Sequence, residues 1–164
     1  MKLNSLEDVF RDHLMDLHSA EHQLTQALPK MAGKVSSKEL KDAFEKHVKA
    51  TEEHLERLSR IGNEMGVDLK GKTCKAMQGL IKEGEEILQE GGADDALDAA
   101  LIAAAQRVEH YEIAAYGSAC TYAEELGHDQ ALKLLKETLD EEERTDKQLT
   151  KIAEGGVNKR AMRA

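Results

Sequence analysis

Apolar residues recur at helical spacing in four long segments of the chain, and each stripe is broken by a polar residue where a core residue is due. The first segment carries Leu6, Phe10, Leu14, Leu17, Glu21, Leu24 and Leu28, and the second Leu40, Phe44, Val48, Thr51, Leu55, Leu58 and Met65, with His47 and His54 on its shoulders. The third reads Leu97, Leu101, Ala104, Val108, Glu112, Ala115, Ala119 and Tyr122; the fourth reads Leu132, Leu135, Leu139, Glu142, Asp146, Leu149 and Ile152. Their ends carry the expected punctuation. Asn4-Ser5 opens the first helix, with Glu7 and Asp8 in its first turn; Pro29 loosens its last turn and Gly33 stops it. Ser36-Ser37-Lys38-Glu39 predicts a capping box for the second helix, which Gly66 ends. The third follows Asp94, and the fourth is capped near Asp129 after Gly127.

Residues 67–93 are too many for a tight turn and predict a short helix from Thr73 to about Gln89 before Gly91-Gly92. A connection of that length lets the third helix restart from the far end of the molecule. The pattern therefore predicts an all-α antiparallel bundle of four helices with a long crossover containing a short fifth helix. Residues 1–154 read as one domain, and residues 155–164, with Lys159, Arg160 and Arg163, as a basic solvated tail.

Composition narrows the function. With 164 residues, one proline, no tryptophan, 3% aromatic and 34% charged residues, the chain has enough length for one core and little for a β-sandwich. A formal charge of −9 argues against a nucleic-acid face. Cys74 and Cys120 lie in different segments without metal-type spacing, so free thiols in a reducing, cytoplasmic setting are expected. No apolar run approaches the roughly 18 residues a membrane span requires.

The polar interruptions carry the candidate chemistry. Glu21 and Thr51 are separated by the same interval as Glu112 and Glu142, each pair straddling a turn, which sets three carboxylates and a hydroxyl at one depth. A single shift lays the first hairpin on the second: Glu21 on Glu112, Thr51 on Glu142, His18 on Glu109 and His54 on Thr145. Buried carboxylates need a partner, and a metal ion is one that several can share. Di-iron and di-manganese bundles take one Glu from each of two helices and Glu-x-x-His from each of the other two. Here Thr51-x-x-His54 and Glu142-x-x-Thr145 leave each such motif half present, with His47, Glu109 and Asp146 one turn from the layer.

The plainer readings are a lone Glu whose stem packs while its head reaches water, and a hydrogen-bonded interior histidine. Glu141, Glu143, Glu52 and Glu53 read as solvated. Tyr111, Tyr116 and Tyr122 read as packing residues with hydroxyls bonded at the rim.

Glu7-Asp8-Val9-Phe10, Ser19-Ala20-Glu21-His22-Gln23-Leu24, the run Asp98 to Gln106 and Val108-Glu109-His110-Tyr111-Glu112-Ile113-Ala114 together carry a resemblance, continued by Leu134 to Leu139, Glu141-Glu142 and Thr145-Asp146. Over nearly its whole length the chain resembles the bacterial YciF-type ferritin-like stress proteins. The resemblance implies a ferritin-like four-helix bundle, a homodimer, a dinuclear iron or manganese site and a part in stress responses, without an established reaction. It carries Glu21, Glu112 and Glu142 over as metal ligands and extends to Glu109, His47, His54 and Asp146. Relatives often hold an acid or amide where this chain has Ala50, so His47 and His54 gain importance. Two functions compete: a metal-binding protein handling iron with oxygen or peroxide, and a non-catalytic stress scaffold with a degenerate site. The crossover stripe of Met77, Leu80, Ile81 and Leu88 is the expected extra apolar surface for a dimer.

Overall fold

The structure, a computed structural model, describes residues 2–163. Among these residues there is no strand; the chain forms α1 (Leu6–Ala32), α2 (Lys38–Met65), α3 (Lys75–Glu90), α4 (Asp94–Leu126), α5 (Asp129–Ile152), a π-helical turn (Ala153–Val157) and α6 (Asn158–Ala161). The Ser5 side chain accepts from the Asp8 amide at the start of α1. α2 and α4 end on Gly66 and Gly127, whose φ values of 66° and 73° lie in the left-handed region where glycine is unstrained.

Two apolar clusters fix the direction of each helix. One gathers Phe10, Leu14 and Leu17 with Leu58, Ile61, Tyr116, Ala119, Ala123, Ala131 and Leu135. The other gathers Met31, Leu40, Phe44, Leu101, Ile102, Leu149 and Ile152. α1 and α5 therefore run from the first cluster to the second, and α2 and α4 run the opposite way. Contacts close a ring, α1 on α2, α2 on α5, α5 on α4 and α4 on α1, in which each neighbouring pair is antiparallel. Because α2 and α4 are parallel, the chain between them must return the full length of the molecule, which residues 67–93 do.

Several local expectations are corrected. The capping box is replaced: Ser37, not Ser36, caps α2, its hydroxyl accepting from the Leu40 amide at 3.4 Å. Asp98 of α4, fully buried, accepts from the Ser36 amide (3.0 Å), the Ser36 hydroxyl (2.8 Å) and the Ser37 amide (2.7 Å). A carboxylate from another helix thus takes donors that the predicted Glu39 was to satisfy locally. α3 lies against α1 and α4 with Met77 buried, while Leu80, Ile81 and Leu88 of its stripe pack on the core and stay half-buried. The final residues described are not a free tail: Val157 is buried with Leu149 and Ile152, and Arg160 pairs with Asp95 at 2.7 Å. Ala164, the last residue of the expected tail, lies outside the described residues.

Candidate metal centre

Each long helix passes from one apolar cluster to the other through a polar layer. α1 places Glu21 there; α2 places His47, Thr51 and His54; α4 places Glu109 and Glu112; α5 places Glu142, all buried. His47 and His54, expected on the shoulders of α2, lie on its buried face, while Val48 and Leu55 are only half-buried. Spacings of three, four and seven keep these side chains on one side of their helices.

Two groups of ligand atoms form. His47, Glu109, Glu112 and Glu142 each bring one atom to within 4.8 Å of the others, and so do Glu21, His54 and Glu142. Glu142 belongs to both. Among the described residues, eight buried side-chain atoms make no well-directed hydrogen bond: one oxygen each of Glu21 and Glu109, both oxygens of Glu112 and Glu142, Nε2 of His47 and Nδ1 of His54, although this last approaches Glu142 Oε1 to 2.9 Å. All lie in these two groups. Leaving one polar atom unpaired in the interior costs about 1–3 kcal/mol, so a concentration of such atoms at one place calls for a partner that several of them could share.

The surroundings orient this set. His54 Nε2 faces Glu141 Oε2 at 2.9 Å, and Arg57 holds Glu141 with two hydrogen bonds of 2.7 and 3.0 Å. Nδ1 of His54 is thereby turned inward, 2.9 Å from Glu142 Oε1 and 3.3 Å from Glu21 Oε1. His47 Nε2 lies 3.3 Å from Glu109 Oε1, and its Nδ1 is 3.4 Å from the Thr145 hydroxyl. The Tyr116 hydroxyl donates to Glu21 Oε1 at 2.5 Å, leaving Oε2 free. Thr51 turns back to its own helix and donates to the His47 carbonyl at 2.9 Å, so it contributes no ligand.

Protonation follows from burial and crowding. Burial first, then the neighbouring carboxylates, push Glu109 and Glu112 well above the usual carboxylate range, and burial raises Glu21. Burial opposes charge on His54, yet Glu21 and Glu142 outweigh it and lift the imidazole to about 11. Burial also opposes charge on Glu142, but bonding to His54 and the charge on His47 bring its carboxyl below the usual range. His47 is lowered, chiefly by burial. Without a metal, burial and crowding thus favour the proton on Glu109 and Glu112, while His54 and Glu142 favour each other's charged forms.

The sequence-derived set is largely brought together: Glu21, His47, His54, Glu109, Glu112 and Glu142 converge. Asp146 does not join them; its carboxylate accepts from Gln106 at 3.0 Å and lies 3.3 Å from His110. His18 is half-buried and outside both groups. Two neighbours escaped the sequence reading. Glu141, read as solvated, holds His54; Tyr116, read as a rim residue, is fully buried against Glu21. Tyr116 follows Glu112 by one helical turn, a signal of shared face that was available. Glu141 offered none, since flanking carboxylates on α5 look alike in sequence.

An all-helical protein enclosing a carboxylate–imidazole cluster is the class that fold and site define. The chain belongs to the family DUF892, a domain of unknown function, whose profile matches residues 5–162. It is 48% identical over 162 residues to Protein YciF of Escherichia coli (strain K12), covering 98% of each chain. The crystal structure of the E. coli stress protein YciF matches it with a TM-score of 0.91 at 48% identity, covering 95% of this chain and 99% of that one. YcfI from Rhodopseudomonas palustris matches with a TM-score of 0.88 at 39% identity, covering 91% of this chain and 95% of that one. The resemblance read from the motifs is therefore one of family membership.

Proposed function

We propose that the chain is a ferritin-like four-helix bundle whose polar layer binds two iron or manganese ions, in a cytoplasmic stress-response protein that handles iron with oxygen or peroxide. The observation that carries this reading is the confinement of eight buried ligand atoms that lack a well-directed hydrogen bond to two groups sharing Glu142. The donor set supports it further. Glu21, Glu109, Glu112 and Glu142 with His47 and His54 give the same complement of carboxylates and imidazoles as the di-iron bundles, differently distributed. α2 supplies both imidazoles where the common pattern has Glu-x-x-His, and Glu109 on α4 supplies the carboxylate that Thr51 lacks. Four ionised carboxylates also balance the charge of two divalent cations, and neither group contains a thiolate, which suits harder ions.

Two such ions would supply electrons and Lewis acidity to a small oxidant. The chain's own residues do the rest. Glu142, common to both groups, would serve both ions, and the hydrogen bonds from Arg57 through Glu141 to His54 Nε2 would leave Nδ1 as the ligand atom. Tyr116 holds one oxygen of Glu21 and presents the other. The apolar clusters on either side keep bulk water away. The cytoplasmic assignment is supported by Cys74 and Cys120, both buried and free. No helix among the described residues is long and apolar enough to cross a membrane.

A homodimer belongs to the same proposal and is supported chiefly by the resemblance, with the half-buried Leu80, Ile81 and Leu88 of α3 as the apolar surface it would use; a monomeric mass by light scattering at micromolar concentration overturns it. A scaffold acting through protein association is favoured by one observation, the 2.9 Å approach of His54 to Glu142, which offsets charge without metal. Metal analysis of chelator-free protein and anaerobic Fe(II) titration separate the two. Saturable uptake of two ions, lost in Glu142→Gln, supports the metal reading, and no specific uptake of Fe(II) or Mn(II) leaves the scaffold.

A further inference from the structure

A buried centre needs a way in. Of the five cavities described, one of about 290 Å³ between α2 and α5 is lined by a member of the ligand groups, His47. The other four touch none of the six converging residues. At its inner end lie His47, only 4% exposed, and the half-buried Ala50 and Thr145. A methyl group at position 50 leaves open the space that a larger side chain would fill. At its outer edge stand the exposed Lys46, Lys49 and Arg144.

The charges around this cleft run against those of the molecule. Lys46, Lys49 and Arg144 have no carboxylate within 4.0 Å among the described residues, and Arg144 Nε donates instead to the Asp140 carbonyl. The two acids of the lining, Glu53 and Glu141, are both engaged by Arg57, at 3.8 and 2.7 Å. On a chain of net charge −9, the lining of this cleft thus carries three cations without an ion-pair partner against two acids, a local excess of positive charge at its mouth. Cations at the mouth of a cleft concentrate anions and disfavour the entry of metal ions by the same path.

We propose that this cleft is a port for small anions, which pass Lys46, Lys49 and Arg144 and arrive beside His47. The inference rests on the metal-centre reading for its purpose but not for its test, which uses metal-free protein. The probes are iodoacetate, an anion, and iodoacetamide, its neutral counterpart. In each case an imidazole nitrogen of His47 displaces iodide from the methylene carbon, forming a C–N bond as the C–I bond breaks, with the ring proton released to solvent. Alkylation is read at each histidine by peptide mass spectrometry, and rates are normalised to the exposed His22 and His110.

In the wild type, His47 should react well ahead of His54, with iodoacetate preferred over iodoacetamide by about tenfold at low salt. Ala50→Phe should slow both reagents at His47 alike without changing His22 or His110. Reversal of Lys46, Lys49 and Arg144 to Glu should abolish the preference for iodoacetate while leaving the iodoacetamide rate unchanged. If Ala50→Phe lowers the helical signal, Ala50→Leu replaces it. Equal reactivity of His47 and His54 overturns the port, and an anion preference that survives charge reversal overturns the role of the three cations. Failure of metal uptake in the wild type overturns the metal reading and leaves these rates to decide the port on their own.

Discussion

At the scale of single residues, Glu142 differs from its neighbours in belonging to both ligand groups. Glu142→Gln should therefore abolish uptake of both ions, whereas Glu112→Gln should weaken only the site shared with His47 and Glu109. Metal stoichiometry of the two variants checks this, and two ions retained in Glu142→Gln would sink it. Glu112 has a second signature, because burial and nearby carboxylates push its carboxyl well above the usual range and both its oxygens are unpaired. Gln in its place has no proton to lose. Metal-free Glu112→Gln should gain on the wild type as pH rises from 5 to 8, because the wild type must give up the proton that burial holds on Glu112 and the variant has none to lose. Denaturant unfolding at the two pH values measures the difference; no gain between them would show Glu112 to be well paired. Glu141 acts through His54 rather than as a ligand. Glu141→Gln should weaken metal affinity about tenfold to a hundredfold, and retention of Arg57→Lys at an intermediate affinity would distinguish orientation of the imidazole from loss of packing.

At the scale of elements, Asp98 ties α4 to the start of α2, meeting two amides and a hydroxyl from a fully buried position. Asp98→Ala removes three acceptor contacts and strands donors, so it should destabilise the protein by about 2–3 kcal/mol. Urea unfolding gives the value, and a loss within 0.5 kcal/mol of zero would mean water replaces the carboxylate freely. This contact also shows what the sequence could and could not tell. The four stripes were legible because period and end signals act within a few residues, and the level of the polar layer followed from equal spacing around two turns. Contacts across helices carry no local mark. Asp98 sat in a motif that identified the family, yet nothing near it revealed that it holds the segment entering another helix. Likewise, the half-filled Glu-x-x-His motifs made α2 and α5 look deficient; the complement closes only when His47 and Glu109 are brought across from separate helices. Asp146 shared the stripe of Glu142, but its position one turn further along α5 put Gln106 and His110 within reach first.

For the molecule as a whole, the cluster couples folding to pH and, on the proposed reading, to metal. Glu21, Glu109 and Glu112 have folded pKa values above the ordinary 4.5, so the folded protein keeps protons that the unfolded chain has released, and stability falls as pH rises above about 4.5. His54, lifted to about 11 from 6.5, adds stability that is fully present below 6.5 and is lost as pH climbs through the upper value. His47 works in the opposite sense, being held below 6.5, so its contribution is lost as pH falls below that point. Glu142 and Glu141, held below 4.5, lose theirs only in stronger acid. The metal-free melting temperature should therefore decline between pH 6.5 and 9. Divalent ions bound there would replace these protons, so uptake should release protons and tighten with pH over the same interval. At a metal concentration one hundred times Kd, the gain is about 2.7 kcal/mol, which for a chain of this length raises the melting temperature by about 5 to 10 °C. Thermal unfolding at pH 6.5, 7.5 and 9, with and without Fe(II) or Mn(II) under anaerobic conditions, tests both slopes together. A metal-free melting temperature that rises toward pH 9 would mean that the buried carboxylates are already ionised and satisfied, and the protonated cluster on which this linkage depends would have to be abandoned.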